Sequence, residues 1–288
     1  MSEPATIITE PGIYYAMPFA EYRTIDAVNH GLLRTLETKS PLHARHDRDH
    51  PSPDTPALRI GRAAHSLILE PDTFLDRWAV APECDRRTKA GKGVWSTFFE
   101  EAGDRDVLSA SEFSAIQRMA ESIKTQRLQR LVRHGKAEVV MVWTDPVTGL
   151  KCKARLDYLA QKDGAAFVID LKTTKDAGFD AFADSIQKFN YHSQAAYYAM
   201  ACEELLGQTP GYTWLVAEKF PPYAVAGYQC KSGTLGAGTE FCRRALDRYA
   251  RCLDNDEWPG FPDAVLPIDM PAWKLNQEMQ LAQYRMGD

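Results

Sequence analysis

The chain has 288 residues, 44% apolar and 25% charged, the balance of an ordinary globular protein and a length that suits one large domain or one with an elaborated end. No apolar run is long enough to cross a membrane, and the opening MSEPATIITEPG lacks a basic stretch followed by an apolar one, so no signal peptide is read and a cytoplasmic setting is expected. The formal net charge of −5 does not mark a nucleic-acid binder, although a binding groove needs only local positive potential.

Residues 1–54 read as helical in pieces, punctuated by Pro51-Ser52-Pro53. Residues 56–70 predict a helix, with Pro56 at an early position and Pro71 beyond its end. Leu58, Ala64, Leu67, Ile68 and Leu69 would be its buried side. The segment 83–105 is polar and rich in Gly and Lys, and reads as a mobile stretch with a short helix over 94–101. Ser109 or Ser111 can cap a helix running to about residue 129, with a shorter turn to 134. Three strand-like runs follow, at 138–144, 151–159 and 165–172, the first two joined by the turn Asp145-Pro146-Val147-Thr148-Gly149. Helices are predicted over 179–188 and 191–206, the second stopped by Gly207. Strands at 212–219 and 223–230 flank Pro221-Pro222. A long helix covers 238–253, Pro259, Pro262 and Pro267 mark an extended stretch, and a last helix spans 271–286. There is no internal repeat and no low-complexity segment. This order predicts an α/β fold, a mixed central β-sheet flanked by helices. In a single domain, 56–230 would be the core, 1–54 a helical N-terminal elaboration and 231–288 a helical C-terminal extension.

The chemistry concentrates on the second and third strand runs, LKCKARLDYL and AAFVIDLK. Asp163-Gly164 between them is a strong hairpin signal. With those two residues at the turn centre, Asp157 stands opposite Asp170, and Lys172 shares the face of Asp170. Opposed like charges destabilise a sheet unless compensated, and a divalent cation is the compensation carboxylates favour. A solvated hairpin whose acids pair with Lys172 and Arg155 accounts for the same residues. Upstream, Gly61 and His65 lie one helical turn apart, so His65 is either a third metal ligand or a partly buried histidine satisfied by a carbonyl. A glycine there suits the close approach of another backbone or of a nucleic-acid strand. Downstream, Gln194 and Tyr198 sit at i and i+4, able to hold a phosphate oxygen or merely to edge an amphipathic helix. Small Ala195 and Ala196 would let that helix pack closely on the sheet. Basic clusters occur at 86–92, 127–136 and 151–155, each either a binding surface or a solvated face. The six cysteines are scattered without a CxxC pair, which argues for free thiols in a reducing compartment. There is no GxSxG and no P-loop, so a serine nucleophile and ATP hydrolysis are not expected.

In order, GxxxH, D, DxK and QxxxY, carried by GRAAHSLILEP, WTDPVTGLKCKARLDYL, FVIDLKTTKDA and YHSQAAYY, resemble the PD-(D/E)xK nucleases of the RecB-like branch, and most closely the phage-type exonuclease VIII (RecE) family. The resemblance covers about residues 11–206. Asp170 stands where glutamate is commoner, and Leu156 rather than proline precedes Asp157. A restriction-endonuclease-like core is implied. So is Mg²⁺ or Mn²⁺ held by Asp157, Asp170, His65 and the Leu171 carbonyl, with Glu138 a marginal addition through water. Lys172 would orient or deprotonate the attacking water. Gln194 and Tyr198 would hold the scissile strand or brace Lys172, and Arg62 and Arg155 are further candidate DNA contacts. The implied activity is 5′→3′ exonucleolytic hydrolysis of linear double-stranded DNA in phage-type recombination, in bacterial or phage-encoded cytoplasmic proteins. A ring-shaped homo-oligomer and a single-strand annealing partner come with it. Two alternatives stand beside it. A Cas4-like or helicase-associated nuclease module is disfavoured by the absence of helicase motifs and by Cys230, Cys242 and Cys252, too loosely spaced for an iron–sulfur cluster. A non-catalytic DNA-binding protein on a retained nuclease fold is disfavoured by the intact Asp157, Asp170 and Lys172.

Overall fold

A computed structural model describes residues 10–50 and 55–285, so Pro51-Ser52-Pro53 lies outside the described residues. The first element is a strand, β1 (Gly12–Tyr14), and α1 (Phe19–Thr24) follows it. α2 (His30–Thr38) and α3 (Pro41–Asp49) start where Asn29 and Ser40 turn their side-chain oxygens onto the Leu32 and His43 N–H groups, satisfying donors that a helix start leaves open. Thr55 caps α4 (Pro56–Leu69) in the same way, with Pro56 in the first turn where its missing N–H costs nothing. α5 (Phe74–Arg77), β2 (Trp78–Val80), α6 (Lys89–Ala102) and β3 (Asp106–Leu108) lead to α7 (Ala110–Thr125). Ser109 and Glu112 form a reciprocal capping box at the start of α7. α7 is shorter than the sequence predicts, because Gln126 is extended and a 3₁₀ turn, Arg127–Val132, takes over.

The centre of the fold is the meander β4 (Gly135–Thr144), β5 (Lys151–Lys162) and β6 (Ala165–Thr174). Asp163 and Gly164 both take left-handed angles, φ 51° and 81°, as a tight two-residue hairpin requires. The register is the predicted one, from Lys162 opposite Ala165 to Tyr158 opposite Ile169. α8 (Phe179–Lys188) and α9 (Tyr191–Leu206) then cross over, α9 ending at Gly207 with φ 70°. The crossover makes β7 (Gly211–Glu218) parallel to β6. β8 (Val225–Gln229) returns antiparallel, and α10 (Ser232–Asn255) and α11 (Ala272–Arg285) close the chain. The sheet is therefore mixed, as the sequence predicts, and its strand order is β1-β4-β5-β6-β7-β8.

Beyond the shortened α7, five expectations change, the first being that 83–105 carries a full helix, α6 (Lys89–Ala102), in place of a short one over 94–101. Residues 12–14 are not helical but form an edge strand antiparallel to β4, pairing Gly12 with Val142. β2 and β3, unforeseen from sequence, pair in parallel as a separate two-stranded sheet. Leu58 is 59% exposed, because the apolar arc of α4 runs through Ile60, Ala63, Ala64, Leu67 and Ile68 and leaves residue 58 outside it. The long C-terminal helix starts at Ser232 and is no peripheral addition: Cys242, Ala245, Leu246 and Tyr249 pack into the main core with Tyr197 of α9 and Trp214 of β7. Gly238 lets α10 approach α9 closely, since a Cβ there would meet the His192 carbonyl oxygen at 2.1 Å. Ala195 and Ala196 are fully buried, as their small size suggested. The opposite face of the sheet is covered by α7, the end of α4 and the 3₁₀ turn, through Ile123, Ile169, Leu171 and Leu215.

Candidate active site

The strands part where the acids sit. Pairing of β4 with β5 steps from Ala137–Tyr158 to Val139–Leu156, skipping Glu138 and Asp157, and β5–β6 pairing stops at Tyr158–Ile169. Glu138 takes φ 51°, left-handed geometry that a non-glycine residue rarely adopts inside a strand. Residues two apart in a strand share a face. Here Leu156 packs toward α9 while Tyr158 packs toward α7, and Val139 and Ala137 divide in the same way. The pairing is thus interrupted by one residue on each strand, with the register unchanged on either side, and Asp157 is left without a ladder partner at the gap between β5 and β6. Its Oδ2 accepts the Leu171 N–H at 2.8 Å.

α4 delivers His65 to the other oxygen. Ala63 and Ala64 are fully buried, so small residues bring this helix close, and His65 Nδ1 lies 3.4 Å from Asp157 Oδ1. No such contact forms at Gly61, where a Cβ would meet nothing within 4 Å among the described residues.

Asp170 is fully buried on β6. Lys172 Nζ lies 2.6 Å from its Oδ2 in an ion pair, while Oδ1 has no partner among the described residues. The ammonium also donates to Gln194 Oε1 at 2.9 Å and lies 4.7 Å from the centre of the Tyr191 ring. Gln194 Nε2 donates in turn to the Tyr198 hydroxyl at 3.0 Å. Gln194 and Tyr198 thus form one chain behind Lys172, and Tyr198 is itself buried.

The charges follow from this packing. Burial pushes Asp170 up to about 6, against the pull of Lys172. Burial also opposes the charge on Asp157, but His65 and Lys172 outweigh it and hold this carboxyl below its usual range. His65 is disfavoured as a cation by burial, yet the Asp157 carboxylate raises it to about 9. Lys172 is raised as well, its burial overcome by Asp170 and Asp157, so it is fully charged at neutral pH. Glu138 is raised by burial, with Arg155 pulling the other way.

A family model for a "PDDEXK-like domain of unknown function (DUF3799)" matches residues 32–264, most of the chain. The chain belongs to this PDDEXK-like family. It is thereby a member of the PD-(D/E)xK nuclease superfamily. A structure search found a protein of Eubacterium rectale described as a "Putative exonuclease", 13% identical, covering 87% of this chain and 92% of its own at a TM-score of 0.56; the fold is shared. SSO0001, 12% identical over 76% of this chain and 84% of its own at a TM-score of 0.30, is too distant to bear on the fold. No curated protein matches.

Around this PDDEXK-like centre the remaining predicted residues are placed as follows. Glu138 Oε2 lies 2.7 Å from Arg155 Nε, and the Arg155 guanidinium is 5.1 Å from the Phe19 ring. Arg155 is thus mostly enclosed rather than projecting from the surface. Arg62, one turn before His65 on α4, lies near Asp106 at 3.5 Å and 5.5 Å from Phe19. Lys153, in the third basic cluster, is buried and donates to the carbonyls of Tyr22 at 3.0 Å and Ile25 at 2.5 Å, so it anchors the N-terminal segment. Two participants escape sequence reading. Phe19 reaches the site on α1, 136 positions before Arg155 in the chain. Tyr191 stands three residues before Gln194, one helical turn away, and that spacing is the signal that could have found it.

Proposed function

We propose that this chain is a divalent-metal-dependent deoxyribonuclease that hydrolyses phosphodiester bonds at the ends of linear double-stranded DNA. The observation that carries it is the Asp170 carboxylate. It is fully buried, its Oδ2 is held by Lys172 while its Oδ1 has no partner among the described residues, and the Asp157–His65 pair lies near enough to act on its charge. A buried carboxylate oxygen left without a donor is costly, and a cation bound there offsets that cost. The donor set, two carboxylates and an imidazole, fits a hard or borderline divalent cation. Among the described residues no three His, Cys, Asp or Glu side chains are already gathered closely enough to hold a metal ion, so binding would have to draw Asp157, Asp170 and His65 together.

Asp157, Asp170, His65 and the Leu171 carbonyl would hold the cation, which when bound supplies Lewis-acid activation of the attacking water and of the phosphoryl oxygens. The protein's own contribution is position and charge. Asp157 is fixed by the Leu171 N–H, so its orientation survives the absence of a ladder pair. Lys172, charged and held by Gln194, places a positive donor where negative charge develops on the phosphorus oxygens. Tyr198 braces Gln194 from behind. Arg155, paired with Glu138, adds a second positive group beside the same gap.

The 5′→3′ direction, the place in phage-type recombination, the ring-shaped homo-oligomer, the annealing partner and the cytoplasmic setting rest on resemblance to the RecE-type exonucleases, and they are part of this proposal. Linear duplex labelled at either the 5′ or 3′ end, and closed circular duplex, incubated with Mg²⁺ or EDTA, test it together. Release of 5′ label from linear DNA in Mg²⁺ alone is expected. Cutting of circles would replace the exonuclease with an endonuclease, and binding without degradation would remove catalysis altogether.

A further inference from the structure

A cleft apart from Asp170 lies beside α6. It measures about 670 Å³ and opens between α6, β3 and the starts of α4 and α7. α6 is an unusual helix for its composition. Of its 14 residues only Gly91 and Ala102 are buried, although it carries Val94, Trp95, Phe98 and Phe99. Trp95, Phe98 and Phe99 form one aromatic group, with ring centres 5.3 to 5.6 Å apart. Phe99 is 55% exposed. A soluble helix normally buries such a stripe, so an exposed one marks a contact surface.

The loop before α6 makes that surface basic. Arg86, Arg87, Lys89 and Lys92 are all exposed, against Glu83 and Asp85 at the same rim. Asp85 is occupied by Arg87, with Nε 3.1 Å from Oδ1. The Arg86 guanidinium lies only 3.3 Å from the centre of the Trp95 ring. Gly91 is required for this arrangement, because a Cβ there would meet the Asp85 carbonyl oxygen at 2.0 Å. Arg59, on the opposite wall, is paired with Glu112 at 2.9 Å, and Trp95 Nε1 and Arg59 Nε are shielded from solvent with no hydrogen-bond partner among the described residues. The cleft and the candidate site share one helix, α4. Arg59, Arg62 and His65 follow one another at three-residue steps on α4, and six residues of helix span roughly 9 Å. A strand whose phosphate lay at Asp170 would reach the cleft within a few nucleotides.

We propose that the α6 cleft binds unpaired nucleotides of the DNA substrate, stacking bases on Trp95 and Phe99 while Arg86, Arg87, Lys89 and Lys92 engage the phosphates. Aromatic platforms lined by cations are the sequence-independent way to hold a single strand. This reading deepens the proposed nuclease function and rests on its DNA substrate.

The test is fluorescence anisotropy of a labelled single-stranded oligodeoxythymidine in EDTA, which prevents degradation. The full-length protein is compared with Trp95→Ala, Trp95→Phe and Arg86→Ala. Trp95→Ala is expected to weaken binding about tenfold, the effect of losing one stacked base. Trp95→Phe keeps a ring and should stay within about threefold. Arg86→Ala should weaken binding more at low salt than at high salt, as a lost phosphate contact does. Equal affinity of wild type and Trp95→Ala, with circular dichroism showing both folded, would overturn the proposal. So would a change of oligomeric state in Trp95→Ala, which would make the cleft a protein interface. Trp95-dependent binding in a wild-type protein devoid of Mg²⁺-dependent cleavage would remove the reaction and keep this surface. A neutral Trp95→Ala beside intact nuclease activity would remove this surface alone.

Discussion

Replacing Asp170 with Asn should change the pH dependence of stability in a direction fixed by burial. Asp170 is fully buried and its carboxyl is raised from 3.8 to about 6. A raised acid binds its proton more tightly in the folded than in the unfolded chain. Its favourable contribution is therefore complete below pH 3.8 and is lost as pH rises through 6. The displacement corresponds to at most about 3 kcal/mol between those limits. Asparagine cannot titrate, so the variant lacks this loss. It also weakens the partner of Lys172, but Lys172 stays charged throughout that window, so that cost shifts the baseline and not the slope. Urea unfolding in EDTA, for wild type and Asp170→Asn at half-unit steps from pH 4 to pH 7, gives the difference directly. The stability difference should move toward the variant by about 2 to 3 kcal/mol across the range. With millimolar Mg²⁺ the wild type should recover stability and the variant should not. A flat difference, or one moving toward the wild type as pH rises, would refute the burial argument.

Asp170→Ala should abolish cleavage of linear duplex while near-ultraviolet circular dichroism remains native; retained metal-dependent cleavage would take Asp170 out of the site. Lys172→Met should lower kcat by about 10²–10⁴ with little change in DNA affinity, because the ammonium is held for the transition state; a defect confined to Kd would make Lys172 a phosphate anchor. His65, raised to about 9, is protonated at neutral pH in the metal-free protein and must lose that proton to bind a cation, so Mn²⁺ affinity by calorimetry should rise from pH 6 to pH 9. That slope should flatten in His65→Gln, and an unchanged slope there would exclude His65 as the source. Gly238→Ala forces a Cβ against the His192 carbonyl at 2.1 Å and should cost about 1–3 kcal/mol, seen as a lower urea midpoint; an unchanged midpoint would mean α9 and α10 can separate freely.

Where an element is decided within a few residues of itself, the sequence was enough. Asp163-Gly164 accepts left-handed angles, so it set the turn, and a period of two carried the register along both strands to Tyr158 and Ile169. Ser109 with Glu112, and Gly207 at its left-handed position, fixed helix ends by hydrogen bonds no more than four residues long. The i, i+4 spacing put Gln194 beside Tyr198 for the same reason. The ordered acids, lysine and histidine also carried the superfamily, which the family match bears out.

Tertiary structure decided everything that depends on parts of the chain meeting from far apart. No local signal shows that the β4–β5 pairing breaks at Glu138 and Asp157, because the break lies where the two strands pass from one core cluster to the other. Only packing shows Lys153, basic in sequence, swallowed by carbonyls about 130 residues earlier, and Arg155 turned inward onto Glu138 and Phe19. The three-residue β1 is too short to announce itself and becomes a strand because the β4 edge offers its unpaired backbone groups a partner. Turn and cap chemistry is settled by bonds the backbone makes to its neighbours. Burial and charge pairing are settled by which distant surface arrives, and that is a property of the whole fold.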